Sequence, residues 1–306
     1  MDKIVLLGQA LTDYICLYNP LILRQEGIIL PGSYKREISA IDAAVRQSEV
    51  LHTDIGGCVT NTAIGIHKLG ATCILYNVVA SDERGITFTQ EISKFRGIEN
   101  KVTIMEGDTG EVLTFIELPD KNTPHYGLYN QGVANRLCLN NSIKDQVHNA
   151  ILYFSLFSLF DADSSGIFDI LKYAKGVGAR LLFDGGGSTK VAEEKLTETL
   201  PLCNGILLNE FEFARLRSSS KLERMTFDVP WIVVKRGIVD SEFYENGRPV
   251  FSVPVEEFKE AINCLGAGDA FAAAFLVSLQ KNEGFYRAVL NGHNYAKKIV
   301  CSIATH

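Results

Sequence analysis

The stretch Gly266-Ala267-Gly268-Asp269-Ala270-Phe271-Ala272-Ala273-Ala274-Phe275-Leu276 places two glycines and an aspartate directly before an apolar run. The run predicts a buried helix, with Asp269 in its first turn among backbone N–H groups that have no partner within the helix. Such a helix end can hold the charge of a transferring phosphoryl group while the carboxylate takes a proton from a hydroxyl. A tight turn with a helix-favouring acid is the plainer alternative, and four residues alone do not decide between the two.

Two further motifs precede this stretch in the chain. The first is Gly56-Gly57-Cys58-Val59-Thr60-Asn61-Thr62-Ala63, followed by Lys68-Leu69-Gly70-Ala71, and the second is Asn209-Glu210-Phe211-Glu212. Together with Asn263–Phe271, they resemble the signatures of the PfkB/ribokinase family of sugar and nucleoside kinases. The resemblance covers essentially the whole chain, and three motifs in family order are much more specific than any one of them.

Strand and helix patterns alternate along most of the sequence. Strands are predicted at 3–8, 72–79, 150–156, 180–183, 205–208 and 231–235, and helices at 59–69, 84–96, 164–175, 191–200 and 209–217. This alternation predicts an α/β fold with a doubly wound, mostly parallel sheet flanked by helices. The resemblance implies a ribokinase-like arrangement in a single domain over residues 1–306.

Two stretches break the alternation. Residues 12–55 contain no convincing long helix, and residues 101–130 include a segment at 112–118 in which apolar and polar residues alternate. Such alternation is typical of a strand with one wet face. Parts of both stretches are expected to form a small β lid, which in the family closes over the sugar. A pair of surface hairpins is the alternative.

Composition and cysteine usage exclude several classes of protein. The chain is 46% hydrophobic and 22% charged, as expected for a globular protein with a sizeable core. Its formal net charge of −6, with no long basic run, gives no support to nucleic-acid binding. Seven widely spaced cysteines without a Cys-x-x-Cys pair argue against disulfides or zinc and favour a reducing, cytoplasmic compartment. No signal peptide or membrane-length segment is recognised, so no membrane partner is expected.

Asp13, Gly56, Gly57 and Asn61 are the candidates for binding the acceptor substrate. Asp13 is expected at the end of the first strand, where ligands of open α/β sheets gather, and a carboxylate can accept two hydroxyl hydrogen bonds. The glycines let the backbone pass close to a ligand, and Asn61 offers one acceptor and two donors. The resemblance implies that these residues contact the sugar, while a turn acid and a helix cap are the alternatives.

Lys235, Gly237, Asn209 and Glu212 are the candidates for nucleotide and metal binding. A cation after the strand 231–234 can neutralise phosphates, and the resemblance implies that Lys235, Gly237 and Asn209 lie at the nucleotide. It also implies that Asn209 and Glu212 hold Mg²⁺ through water, since Mg²⁺ prefers oxygen ligands and usually keeps several waters. The same two residues match a helix capping box, and both roles are compatible. An ordinary hairpin start is the alternative for Lys235–Gly237.

The resemblance therefore implies an ATP-dependent carbohydrate kinase that phosphorylates a CH₂OH group. Asp269 would be the general base, and the amides of Gly266, Ala267 and Gly268 would form an anion hole. A nucleoside kinase is one alternative, which would need aromatic rings around the base. The candidates for those rings are Tyr14, Tyr18, Phe115 and Tyr129. A non-catalytic sugar-binding relative is another alternative, and the intact Asp269 argues against it.

The chain departs from the family pattern at several places, and two of them concern the site. Asn263 stands where the family commonly has an aspartate that helps to shape a monovalent-cation site, so dependence on K⁺ stays open. Gly185–Gly187 replaces a common Asp-Pro-Asn and predicts a crossover loop, because its order of residues is not that of a P-loop. A homodimer through the lid is also left open, and the sequence does not identify the sugar.

Overall fold

Two β-sheets and their flanking helices make up the computed structural model, which describes residues 2–30, 32–117, 125–160, 164–186, 191–256 and 264–301. The strands are β1 (Ile4–Leu7), β2 (Leu11–Leu17), β3 (Gly32–Lys35), β4 (Val50–Gly56), β5 (Cys73–Ala80), β6 (Ile98–Met105), β7 (Thr109–Ile116), β8 (Tyr126–Gly132), β9 (Ile151–Ser155), β10 (Arg180–Asp184), β11 (Gly205–Asn209), β12 (Trp231–Arg236), β13 (Val239–Glu245) and β14 (Arg248–Val253). The helices are α1 (Pro20–Gln25), α2 (Ile38–Gln47), α3 (Cys58–Lys68), α4 (Glu83–Ile92), α5 (Asn141–Gln146), α6 (Ser165–Gly176), α7 (Glu193–Thr199), α8 (Glu210–Leu216), α9 (Ser220–Phe227), α10 (Ala267–Gln280) and α11 (Phe285–Ile299).

The large sheet has the strand order β14-β13-β12-β11-β10-β9-β1-β5-β6 in the described part of the chain. Every pair from β12 to β6 is parallel, and only β13 and β14 run antiparallel. Strands such as β1 and β9 are buried along their whole length, because apolar clusters with helices cover both faces of the sheet. The predicted mostly parallel α/β fold is therefore confirmed. No helix in the described ranges is both long and apolar enough to cross a membrane.

The carboxyl ends of three neighbouring strands bring polar residues together. Asp184 ends β10, Asn209 ends β11, and Lys235 lies near the end of β12. Asn209 pairs directly with Lys235 in the strand register. Because parallel strands end at the same edge, these side chains share one rim of the sheet.

The small sheet has the order β3-β8-β7-β2-β4, with α1 and α2 packed on one face. The sequence analysis expected no long helix in residues 12–55, and this was wrong, since α2 spans ten residues. Ile41 and Ala44 of α2 are buried and Ile38 and Val45 are partly buried, a spacing typical of an amphipathic helix. This face packs against β7 and β8, so the helix was signalled in the sequence and the analysis overlooked it.

Asp13 lies inside β2 and belongs to the small sheet, so its expected place at the end of the first strand was wrong. The segment Gly8–Ala10 separates β1 from β2. After this break, β2 pairs in parallel with β7 and antiparallel with β4. The apolar residues on both sides of this short break concealed it in the sequence.

Candidate active site

Asp269 lies in the first turn of α10, which begins after a left-handed Gly266 with φ of 75°. No side chain caps this helix. The Ala267 amide donates to the carbonyl of Cys264 at 3.3 Å. Oδ2 of Asp269 accepts a hydrogen bond of 3.1 Å from Nδ2 of Asn61, which is 5% exposed in the first turn of α3. The N-terminal ends of two helices therefore meet at this carboxylate.

Burial raises the pKa of Asp269 to about 8. After burial, the carboxylate of Asp184 contributes most to this rise of the pKa, and that of Asp13 also contributes. The hydrogen bond from Asn61 and the charge of Lys235 act in the opposite direction. A carboxyl group with a pKa near neutrality can accept a proton from an alcohol at physiological pH.

Lys235 is the cation of this rim, and its Nζ lies 2.9 Å from Oδ2 of Asp184. The two side chains are 14% and 10% exposed. Burial alone would lower the pKa of Lys235, but Asp184 and Glu212 outweigh it and raise the pKa. A Cβ atom built on Gly268 would lie 3.5 Å from Nζ, so the ammonium stands beside the start of α10.

Asn209 and Glu212 form the predicted capping box at the start of α8. The Glu212 amide donates to Oδ1 of Asn209 at 2.8 Å, and the Asn209 amide donates to Oε2 of Glu212 at 2.7 Å. Burial, followed by the charge of Asp184, raises the pKa of Glu212 to about 7, while Lys235 lowers it. A carboxylate retains lone pairs for further partners, so the capping box leaves room for a second role.

The two glycines before α3 make room for groups of the protein itself. A Cβ atom on Gly56 would overlap the carboxylate of Asp13, and one on Gly57 would overlap the carbonyl oxygen of Gln9. Gly57 also has a φ of 103°, which favours glycine. Burial raises the pKa of Asp13 to about 7, and a hydrogen bond from the Gly57 amide opposes this rise.

The structure thus brings most of the predicted residues into one region. Gly237 lies in the turn from β12 to β13 with φ of 61°, and no described atom lies within 4 Å of its Cβ position. A hairpin turn accounts for this glycine without a ligand. Asn263 and Gly187 lie outside the described residues.

Asp184 is the site residue that the sequence analysis missed. It is 7% exposed, pairs with Lys235, and also accepts a hydrogen bond of 2.9 Å from the Gly186 amide. The available signal was a carboxylate at the end of a buried strand, which is where ligands of such sheets bind.

Two other chemistries find no support in this region. Burial, with Asp269 next, raises the pKa of the Cys58 thiol well above its usual range, so Cys58 is not an activated nucleophile. The described residues contain no group of three or more His, Cys, Asp or Glu side chains placed to hold a metal directly.

Comparisons with known proteins were made for the whole chain. Residues 31–306 match the family model described as pfkB family carbohydrate kinase. A 5-dehydro-2-deoxygluconokinase of Lacticaseibacillus casei is 25% identical over 271 residues, which are 82% of each chain. The adenosine kinase of Sinorhizobium meliloti superposes with a TM-score of 0.85 at 18% identity, covering 100% of this chain and 95% of its own. That of Anopheles gambiae, in complex with P1,P4-di(adenosine-5) tetraphosphate, gives a TM-score of 0.82 at 16% identity, covering 97% and 95%.

Proposed function

The chain belongs to the PfkB carbohydrate kinase family and is a phosphotransferase, and from this premise we propose that it transfers the γ-phosphoryl group of ATP to a CH₂OH group of a sugar or sugar-like molecule. The observation that carries this proposal is the hydrogen bond between Asn61 and Asp269 at the start of α10. It places a carboxylate with a raised pKa at an uncapped helix N-terminus. Proton acceptor and anion site are therefore adjacent.

In this proposal Asp269 is the general base. It takes the proton of the acceptor hydroxyl as the oxygen attacks the phosphorus atom. The amides of Gly266, Ala267 and Gly268 form the anion hole at the helix start, with the Ala267 amide shared with Cys264. Lys235 stands beside Gly268 and would move from Asp184 to the phosphates when a nucleotide binds.

Mg²⁺ fits the chemistry of the rim. Among the described residues, Asp184, Glu212 and Asp269 supply three carboxylates near one ammonium, that of Lys235, so ionised groups leave a surplus of negative charge there. We propose that Asn209 and Glu212 hold the ion through water, as suits a cation that retains waters. When bound, Mg²⁺ would neutralise charge on the phosphate oxygens.

We further propose that Asp13, Gly56, Gly57 and Asn61 bind the acceptor, with the small sheet acting as a lid on a single domain. Asp13 contributes a half-buried carboxylate from the small sheet, whereas Asn61 is buried in a helix of the large-sheet body. An acceptor held by both would sit between the two sheets. Closure there would exclude water from the phosphoryl group and limit hydrolysis of ATP.

A nucleoside acceptor is the second candidate, and one aromatic group favours it. The ring of Tyr129, in β8, lies 6.2 Å from that of Phe160, which in turn packs edge-on against Phe157. These rings connect the small sheet with the loop after β9, where a flat base could stack. Phe115 is buried within the small-sheet core and Tyr18 packs on Tyr126, so neither faces such a base as freely.

The setting of the enzyme forms part of the proposal. All seven cysteines are free thiols, which suits a reducing cytoplasm. Leu21 in α1 and Ile29 and Leu30 in the segment after it are 67%, 86% and 68% exposed, and we propose that they contribute to a homodimer through the lid. Light scattering of the wild type and of Ile29→Glu tests this assembly, and a monomeric wild type would contradict it.

The decisive experiment is a screen of ATP consumption with sugars, sugar acids, polyols and nucleosides. Acceptor-dependent formation of ADP and of a phosphorylated product is expected with one of these classes. Asp269→Asn serves as the negative control in every well. Turnover with nucleosides alone would select the second candidate, and binding without turnover would support a non-catalytic sugar-binding protein.

A further inference from the structure

Arg84 connects the two sheets of the protein. It lies in the first turn of α4, which belongs to the large-sheet body. Its guanidinium pairs with Asp42 in α2 and with Glu111 in β7. It also lies near the hydroxyl of Tyr14 in β2, where it opposes the rise that burial gives the pKa of Tyr14. One side chain therefore reaches three separate elements of the small-sheet body.

Glu111 depends on Arg84 because it is a carboxylate with no exposed surface. Its side chain is 0% exposed, and Oε2 lies 3.0 Å from Nη2 of Arg84. Among the described residues this is its one ion pair, and neither of its oxygens has a partner that meets hydrogen-bond geometry. Burial raises the pKa of Glu111 to about 7, and the charge of Arg84 opposes this rise. A buried carboxylate that loses its partner is strongly destabilising.

The strand register places these contacts on both sides of Asp13. Glu111 pairs with Thr12, the residue before Asp13, and Tyr14 is the residue after it. The same end of β7 is also tied to the cap of α4, because the carboxylate of Asp82 accepts bonds of 2.8 and 2.6 Å from the amide and hydroxyl of Thr109.

We infer that Arg84 is a positioning residue, which clamps β2 and β7 onto α4 and thereby fixes Asp13 relative to Asp269. This inference rests on the proposed role of Asp13 in acceptor binding. Arg84 touches neither the acceptor nor the phosphates in this scheme. It acts through Glu111 and Tyr14 on the strand that carries Asp13.

The first test measures amide hydrogen exchange in the free protein and needs no acceptor. In Arg84→Gln, the amides of β2 and β7 peptides should exchange at least about tenfold faster, because the free energy of local opening there is lower. Peptides of β10 should not change. Arg180→Gln is the matched control, since it removes an exposed ion pair with Asp2 far from the small sheet.

The second test is kinetic and uses the acceptor identified in the screen. Arg84→Gln should raise the acceptor KM about tenfold or more and leave the ATP KM within about twofold. Arg84→Lys should recover part of the loss because it retains the charge. Arg84→Gln combined with Glu111→Gln should recover part of the exchange protection, since no buried charge is then left unpaired.

The outcomes separate this inference from the proposed function. Unchanged exchange in β2 and β7, or equal rises in both KM values, would overturn the clamp. If Arg84→Gln does not fold, the lysine and double variants decide by the same criteria. A wild type that phosphorylates no acceptor would contradict the proposed function alone, because the exchange experiment would still decide whether Arg84 holds β2.

Discussion

Nδ2 of Asn61 donates to Oδ2 of Asp269 over 3.1 Å, joining the first turns of two helices that are 208 residues apart in the chain. The donor favours the ionised carboxylate and so opposes the burial that raises the pKa of Asp269. The proposed base is therefore tuned by a residue that is also proposed to hold the acceptor. Binding and proton transfer can be separated by the substitutions below.

Replacing Asp269 by asparagine should remove the base with little change in shape. We expect kcat to fall by about 10²–10⁴-fold while ATP binding is retained. Steady-state kinetics and nucleotide titration measure the two quantities. Asp169→Asn, at an exposed position of α6, is the matched control and should behave as the wild type. Turnover close to that of the wild type in Asp269→Asn would exclude this residue as the base.

The pH dependence of turnover should report the pKa of Asp269. Since the base acts when ionised, kcat/KM should rise with pH through an inflection near 8. Asn61→Ala removes a donor to the ionised form and should move the inflection to higher pH. The direction of this shift in the inflection distinguishes a change in the pKa of Asp269 from a simple loss of acceptor affinity. An inflection that moves to lower pH would contradict the hydrogen bond between Asn61 and Asp269.

The stability of the free protein should fall as pH rises from about 6 to 9. Burial raises the folded-state pKa values of Asp13 and Glu212 to about 7 and that of Asp269 to about 8, all above their unfolded values. The folded state then binds more protons than the unfolded state, and this contribution is lost as pH rises through these values. Thermal unfolding across pH should show the decline, which Asp269→Asn should flatten. An increase in Tm over this range would contradict the prediction.

Glu212→Gln separates the metal role from the capping box. Glutamine can complete the same box, so the melting temperature should change little. The Mg²⁺ concentration needed for half-maximal activity should rise, because a charged oxygen near the metal waters is lost. Glu212→Ala, which removes both functions, is the companion variant and should lower both stability and activity. An unchanged Mg²⁺ requirement in Glu212→Gln would show that the capping box is the role of Glu212 and would exclude the metal role.

Asp13→Ala tests recognition of the acceptor apart from the chemistry. Hydrogen bonds to a charged group contribute about 1.5–3 kcal/mol each, so the acceptor KM should rise at least about tenfold. Basal hydrolysis of ATP should hardly change, because the proposed phosphate site is at the start of α10, apart from Asp13. Kinetics with both substrates varied provide the measurement. A rise confined to the ATP KM would remove Asp13 from the acceptor site.

The parallel core was predictable from the sequence because its strands are continuous apolar runs. β9 and β11 are buried almost throughout and leave a simple signal. The small sheet gave a weaker signal. Its strand β2 carries Asp13 amid apolar residues and could not be placed from local pattern alone, whereas the amphipathic pattern of α2 was present in the sequence and was overlooked.

The proposed site was predictable in its motifs and not in its contacts. The glycines and carboxylates near Asp269 follow from local sequence and from family resemblance. Asp184 escaped notice because its partner, Lys235, lies 51 residues further along and becomes a neighbour only when two parallel strands align. The same is true of Arg84, whose partners come from three distant segments.

Gly56 and Asp13 constrain each other sterically, so the residues at these two positions have to change together. The carboxylate of Asp13 occupies the volume that any side chain at position 56 would need. When position 56 alone is randomised, the active members of the library should therefore carry glycine there. When positions 13 and 56 are varied together, variants could bind acceptors that need no carboxylate at position 13. Because Asp13 is proposed to bind the acceptor, redesign of acceptor preference has to vary positions 13 and 56 together.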